Sequence, residues 1–137
     1  MSGLTDIASR DDLYRLLSRF YGRALVDELL EDPFEEVRAM GLEAHLPVMC
    51  DFWETLLFGA PSYRGSPLPV HLAVHDRHPL NGAHFVRWLT LWQSTVDEMF
   101  AGPVAEATKA NGRRIAWNMH RRLTGRDAAE LDALVGV

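Results

Sequence analysis

Cysteine is almost absent from this sequence: Cys50 is the only one among 137 residues. A single thiol cannot form an internal disulfide. Without a C-x-x-C or C-x-x-C-H motif, the chain also lacks a cysteine-held metal site and a covalent cofactor attachment of that kind. We therefore expect Cys50 to be a small residue of the core.

Long apolar runs and an excess of positive charge are missing too. No segment approaches the ~18 uninterrupted apolar residues that a membrane-spanning helix needs. The opening segment, MSGLTDIASRDD, has several charges and no apolar stretch, unlike a secretory signal. The net charge of -5 argues against a field that would gather nucleic acid or anionic lipid. We expect a cytoplasmic protein with neither nucleic acid nor membrane as a partner.

What the chain does have is helical periodicity. Its hydrophobic fraction of 47% is ordinary for a globular protein, and its length fits one domain. No segment shows the alternation of a half-buried strand. We predict a single all-α domain over residues 1–137, with a core of about residues 10–123 and a frayed C-terminal extension over residues 124–137.

The first helix is predicted from its cap and from its apolar face. Ser9 and Asp12 resemble a capping box that opens a helix of about twenty residues. Its inward face carries five residues at helical spacing: Leu13, Leu17, Phe20, Tyr21 and Ala24. Pro33 suits the first position of a short helix that also carries Phe34.

Three further helices are indicated, with an irregular connection between them. One runs roughly from Glu43 or Pro47 to Leu57, and its heavy side carries His45, Met49, Phe52, Trp53 and Leu56. Residues 59–70 are expected to be irregular because of their glycines and prolines. The strongest helical stripe follows: Phe85, Trp88, Leu89, Trp92, Val96, Met99 and Phe100. The last helix, Val104 to about Leu123, has a side that we interpret as a solvated surface, with Arg113, Arg114, Arg121 and Arg122.

Three of the six histidines lie in PLPVHLAVHDRHP, residues 67–79. His71 and His75 are four apart, which is half of an H-x-x-x-H zinc arrangement. His78 and His84 are available as a third ligand, but no H-E-x-x-H or E-x-x-H pair supports a hydrolytic zinc or di-iron centre. His75 and His78 flank charged residues and are expected in solvent. His71 lies among aliphatic residues, so it is either a satisfied core residue or an axial ligand facing an apolar chamber.

An axial imidazole must be neutral, so that one nitrogen binds iron while the other N–H donates to an acceptor that orients the ring. The cofactor also needs a slot lined by large apolar side chains. Candidates for such a slot are Phe34, Met49, Phe52, Trp53, Phe85 and Trp88. The same residues would also serve as an ordinary core.

Four segments together carry a resemblance to a known family. RFYGRAL, HLPVMCDFWETLLFG, SYRGSPLPVHLAVH and FVRWLTLW, in this order, resemble a group III truncated haemoglobin over roughly residues 10–123. The resemblance implies a shortened globin fold, a two-over-two helical sandwich around non-covalent haem b. It also implies that O2, NO, CO or another small ligand binds at the haem iron, and that a reductase could be a partner.

The resemblance also implies roles for individual residues. His71 matches the proximal iron ligand, Tyr21 and Trp88 the distal residues, and His45 the histidine of the distal helix. The haem contacts that we assign on this basis are Phe34, Met49, Phe52, Trp53, Leu68, His78, Phe85 and Trp88. The local candidates for partners of the haem propionates are Tyr63, Arg64, Arg77 and His78, and the spacing does not choose among them.

Several alternatives remain open from the sequence. Tyr21 and Trp88 could each donate a hydrogen bond to a ligand that gains negative charge. If Pro47 is the first helical residue, His45 lies on the incoming turn, where it is either a swinging gate or a side chain in solvent with no role. Gas binding, nitric oxide oxidation and peroxide cleavage use the same residues and differ in electron supply. Rivals from other classes are a small helical metal-dependent hydrolase using His71 and His75, and a cofactor-free helical interaction module.

Overall fold

The computed structural model describes residues 3–127 and 129–132 of the chain. Within these residues the protein is all-α, as predicted, with no β-strand. None of the described helices has the length and apolar character needed to cross a membrane. The helices are α1 Arg10–Ala24, α2 Glu35–Met40, α3 Leu42–Phe58, α4 Leu68–Arg77, α5 Gly82–Met99, α6 Pro103–Thr124 and α7 Ala129–Asp132.

Helix α1 begins where the sequence predicts and ends earlier than expected. The Ser9 side chain accepts a hydrogen bond from the Asp12 backbone N–H, and all five predicted inward residues are buried. The helix spans 15 residues. It stops because Asp27 accepts hydrogen bonds from the backbone N–H groups of Leu29 and Leu30, which forms a turn instead of a further helical turn.

The core is built around α5, which packs against α1 and α6. Asn81 caps its start in a capping box with His84. The predicted apolar stripe is confirmed: Phe85, Leu89, Trp92, Val96 and Phe100 are buried, and Trp88 and Met99 are partly buried against the core. The buried side chains form two clusters, and Trp88 packs against both. The first cluster includes Leu17, Phe20, Tyr21, Trp53 and Trp92. The second cluster includes Leu80, Phe85, Leu89, Met119 and Leu131.

Helix α4 lies apart from most of the protein. No Cα atom of α4 is within 8 Å of one in α1, α3 or α5, and its close backbone neighbour is α6. Leu68 and Val74 pack against the second cluster, whereas Val70 and Leu72 are exposed. Helices α3 and α4 are therefore separated from each other.

Two helix boundaries differ from the prediction. Helix α3 begins at Leu42, so Pro47 lies inside it. The proline deprives only the Glu43 carbonyl of its helical partner, and Glu43 is exposed and can be solvated. Helix α4 begins at Leu68, so the irregular connection is shorter than predicted, because Pro69 is at home in a first helical turn.

The prediction of a frayed C-terminal extension is wrong for residues 129–131. Gly125 ends α6 with a φ of 73°, and α7 then returns the chain to the second cluster. Leu131 is fully buried there. The remaining part of the predicted extension, residues 128 and 133–137, lies outside the described residues.

A glycine in α6 allows close packing against the core tryptophan Trp92. A Cβ at Gly112 would lie 2.5 Å from the Trp92 Cδ1 atom. We expect Gly112→Ala to lower the free energy of unfolding by about 1–3 kcal/mol through overpacking, measured by urea denaturation. Gly22→Ala in α1 is the matched control, because its Cβ meets nothing within 4 Å. That change should stabilise the protein by about 0.5–1 kcal/mol, and equal effects of the two changes would contradict the packing argument.

Candidate functional site

His71 lies in the first turn of α4, and its ring is oriented by the backbone. Its Nδ1 atom is 2.7 Å from the Pro67 carbonyl oxygen, which also accepts the His71 backbone N–H. A carbonyl can only accept, so Nδ1 carries the proton and donates. The neutral ring therefore has its lone pair on Nε2. Sequence reasoning missed Pro67 as the orienting residue, although its position four residues before His71 on a helix was a usable signal.

Tyr21 projects from α1 into the first buried cluster. Its side chain is 6% exposed, and its ring centroid lies 5.9 Å from that of Phe34, at the start of α2. Burial raises the pKa of the Tyr21 hydroxyl far above its ordinary value, so the group stays protonated. The hydroxyl makes no hydrogen bond with a residue of the described ranges, 3–127 and 129–132. It is therefore a donor without a partner.

His45 lies beside Tyr21, on the first turns of α3. The two ring centroids are 4.8 Å apart and the rings are perpendicular. The His45 Nε2 atom is buried without a hydrogen-bond partner. Desolvation lowers the pKa of the His45 imidazole, and the nearby His71 lowers it further. The ring is therefore neutral. The prediction that His45 lies on an incoming turn is wrong, because α3 starts at Leu42, before it.

Three tryptophans form a continuous wall next to these residues. Trp53 stacks on Trp92 at 4.7 Å, and Trp92 stacks on Trp88 at 5.9 Å. The Trp92 indole N–H donates to the Thr108 carbonyl at 3.2 Å, which fixes the middle ring. Trp88 is only partly buried and packs against both clusters. The wall is rigid because its central ring is fully packed.

The other predicted contact residues are divided between the two clusters. Met49 and Phe52 are partly buried in the first cluster with Trp53, and Phe52 also meets the Tyr63 ring at 5.4 Å. Phe85 and Leu68 belong to the second cluster, on the side of α4. The two sets therefore flank the separation between α3 and α4 from opposite sides.

The polar candidates near α4 have partners of their own. His78 ends α4, with its Nε2 atom 3.4 Å from the Glu35 carboxylate, and Arg77 pairs with Glu36. The expectation that His75 lies free in solvent is wrong. It is half-buried, and its Nδ1 atom accepts a hydrogen bond of 2.9 Å from the Leu80 backbone N–H.

A zinc site at His71 and His75 receives no support from the arrangement. Within the described part of the chain, no three histidine, cysteine, aspartate or glutamate side chains are placed to hold a metal ion. Both Nδ1 atoms are engaged in hydrogen bonds with the backbone. Two surface pockets lie elsewhere, one at the end of α1 beside Arg87 and one beside α7.

Comparison with known proteins gives one informative result. No family model matches the chain, and no curated protein matches it. Among solved structures, the crystal structure of a group III truncated hemoglobin from Campylobacter jejuni matches with a TM-score of 0.76 and 22% identity. The match covers 88% of this chain and 94% of that chain. The truncated-globin fold that the sequence resemblance implied is therefore confirmed.

Proposed function

We propose that this chain, which has the fold of a truncated haemoglobin, binds haem b non-covalently and holds a diatomic gas reversibly at the iron. The observation that carries the proposal is the orientation of His71. Its protonated Nδ1 is held by the Pro67 carbonyl at 2.7 Å, so Nε2 is left as a neutral donor atom on α4. An axial ligand of haem iron needs this tautomer and this kind of backbone acceptor.

The surrounding residues fit a haem group on two further grounds. First, α3 and α4 have no Cα atoms within 8 Å of each other, and the residues that flank this separation are apolar and aromatic. Second, the His45 Nε2 atom and the Tyr21 hydroxyl lack partners in the same region. Haem would supply the iron position at which a gas binds. Phe34, Met49, Phe52, Trp53, Leu68, Phe85 and Trp88 would contact the macrocycle.

The distal residues would favour ligands that gain negative charge when they are bound. The Tyr21 hydroxyl stays protonated because its environment is apolar, and it has no other acceptor. The indole N–H of Trp88 is the second donor. Hydrogen bonds to a ligand that gains negative charge contribute roughly 1.5–3 kcal/mol each, and they are strongest where water is excluded. These hydrogen bonds would accordingly stabilise bound oxygen more than a bound gas that gains little negative charge.

The edge of the site is acidic as well as basic. His78 and Arg77 lie next to Glu35 and Glu36, so haem propionates would have to compete with these carboxylates for the same two side chains. Tyr63 and Arg64 remain the alternative propionate partners on the connection before α4. We assign the propionates to Arg77 and His78, because both side chains lie at the C-terminal end of α4.

Reversible gas binding needs no electrons, whereas nitric oxide oxidation and peroxide cleavage do. We place the protein in the cytoplasm, where a separate reductase would return the iron to its ferrous state. Nitric oxide consumption by the oxygenated protein, followed by stopped flow with and without a reductant, separates turnover from simple binding.

Reconstitution tests the proposal directly. The purified chain is titrated with haemin, then reduced and exposed to carbon monoxide. We expect one equivalent of haemin to give a Soret band that shifts on reduction and again with carbon monoxide. A chain that leaves the spectrum of added haemin identical to that of free haemin, or one that binds stoichiometric zinc instead, would overturn the proposal.

A further inference from the structure

One imidazole nitrogen among the described residues is buried and has no hydrogen-bond partner. Among the side-chain nitrogen and oxygen atoms of residues 3–127 and 129–131, the His45 Nε2 atom is the buried one without a hydrogen-bond partner. Buried polar groups nearly always have partners, and an exception costs stability. The position of His45 therefore calls for a ligand that the chain itself does not contain.

Neighbouring side chains do not serve as that partner. The Tyr21 ring stands perpendicular to the imidazole at 4.8 Å, yet its hydroxyl does not bond to Nε2. Helix α3 also leaves the ring little freedom to turn outward. The helix is anchored just after His45 by Leu46 and, one turn further on, by Cys50, and both of these residues are buried.

The His45 imidazole lies in the vicinity of His71 on α4. Its pKa is lowered by desolvation and also by His71, so the two rings are near enough to interact electrostatically. The His71 Nδ1 proton is held by the Pro67 carbonyl, so the lone pair of the neutral His71 ring is on Nε2. On α3, the His45 Nε2 atom is the buried nitrogen that has no partner.

We propose that His45 is a second axial ligand, whose Nε2 binds the haem iron opposite His71 whenever no gas occupies that position. The inference rests on the proposed haem function. Binding forms one bond between Nε2 and iron, releases a water molecule from the iron and changes no oxidation state. The site is then a closed six-coordinate form that a gas opens by displacing His45.

The absorption and electron paramagnetic resonance spectra of the ferric holoprotein test this role. We expect a low-spin, bis-imidazole spectrum in the native chain and a high-spin, water-ligated spectrum in His45→Leu. His75→Ala is the control, since His75 is a half-buried histidine of α4 that bonds to the Leu80 N–H, and it should remain low-spin. A Soret band with a high-spin native spectrum that His45→Leu leaves unchanged would overturn the inference alone. Absence of any Soret band would instead defeat the haem proposal.

Carbon monoxide binding to the ferrous protein supplies the kinetic signature. If His45 must leave first, the observed rate should level off at high carbon monoxide concentration. In His45→Leu the rate should rise linearly and exceed the native plateau by about tenfold or more, a size typical of changes at a metal site. A linear dependence in the native protein, equal to that of His45→Leu, would contradict the displacement step.

A measurement without haem examines the premise separately. In the haem-free chain, His45→Leu removes the unsatisfied nitrogen and leaves a side chain of similar size in an apolar cluster. We expect the midpoint of urea denaturation to rise. A fall in the midpoint would mean that the imidazole stabilises the free protein, and the reading of His45 as a residue that awaits a ligand would be wrong.

Discussion

His71→Ala is expected to abolish stable haem binding. The substitution removes the only imidazole that α4 presents with a backbone-fixed Nδ1 proton toward the separation from α3. Changes in groups that merely orient a metal ligand cost about 10–100-fold in affinity. Loss of the ligand itself should therefore weaken haemin binding by more than about 100-fold. The measurement is a haemin titration followed at the Soret band.

The control variant lies one turn further along the same helix. His75→Ala removes an imidazole that accepts a hydrogen bond from Leu80 and should leave haemin affinity within a few-fold of the native value. Far-ultraviolet circular dichroism should show the same helix content in both variants, because His71 is only half-buried. Added imidazole should restore the Soret band of His71→Ala. Native affinity in that variant would refute the assignment of the iron ligand.

Tyr21→Phe is expected to accelerate oxygen dissociation by roughly ten- to a hundredfold. The estimate follows from a charge-assisted hydrogen bond of about 1.5–3 kcal/mol, with about 1.4 kcal/mol for each factor of ten. The Tyr21 side chain is only 6% exposed, and its hydroxyl bonds to no described residue. Removing it therefore leaves no other group unsatisfied. Flash photolysis or stopped-flow displacement of oxygen gives the rate.

Two comparisons show whether the hydroxyl acts on the ligand itself. Carbon monoxide gains little negative charge, so its dissociation should change much less than that of oxygen in the same variant. Tyr14→Phe, at a side chain that is 45% exposed on the same helix, should leave both rates unchanged. Equal acceleration for the two gases would indicate that Tyr21 shapes the site sterically and donates no hydrogen bond.

The helices that build the core were predictable from the sequence because one face of each is apolar over several turns. The spacing in α1 and α5 selected the residues that are buried, including Tyr21 and Trp92. The start of α4 was less predictable, since Pro67 and Pro69 mark a break and also suit a first helical turn. Leu131 was missed because a short helix is stabilised by the cluster that it joins and has no periodic signal of its own.

The candidate site was predictable as a set of residues and unpredictable in its geometry. His71 stands out in the sequence because it lies among aliphatic residues, and the resemblance supplied Tyr21, His45 and Trp88. The hydrogen bond to Pro67 and the burial of the His45 Nε2 atom depend on how helices distant in sequence lie together. Neither one can be read from the sequence spacing.

The isolation of α4 ties the assembly of the protein to the supply of its proposed cofactor. Among the described helices, α4 has close backbone contacts with α6 alone. Because few contacts resist its local opening, the amide protons of α4 should exchange with solvent sooner than those of α5. Bound haem would join α4 to α1 and α3 through its two faces. In the haem-free chain, proteases should therefore cleave α4 sooner than α5, and the supply of cofactor would affect how long a newly made chain survives in the cell.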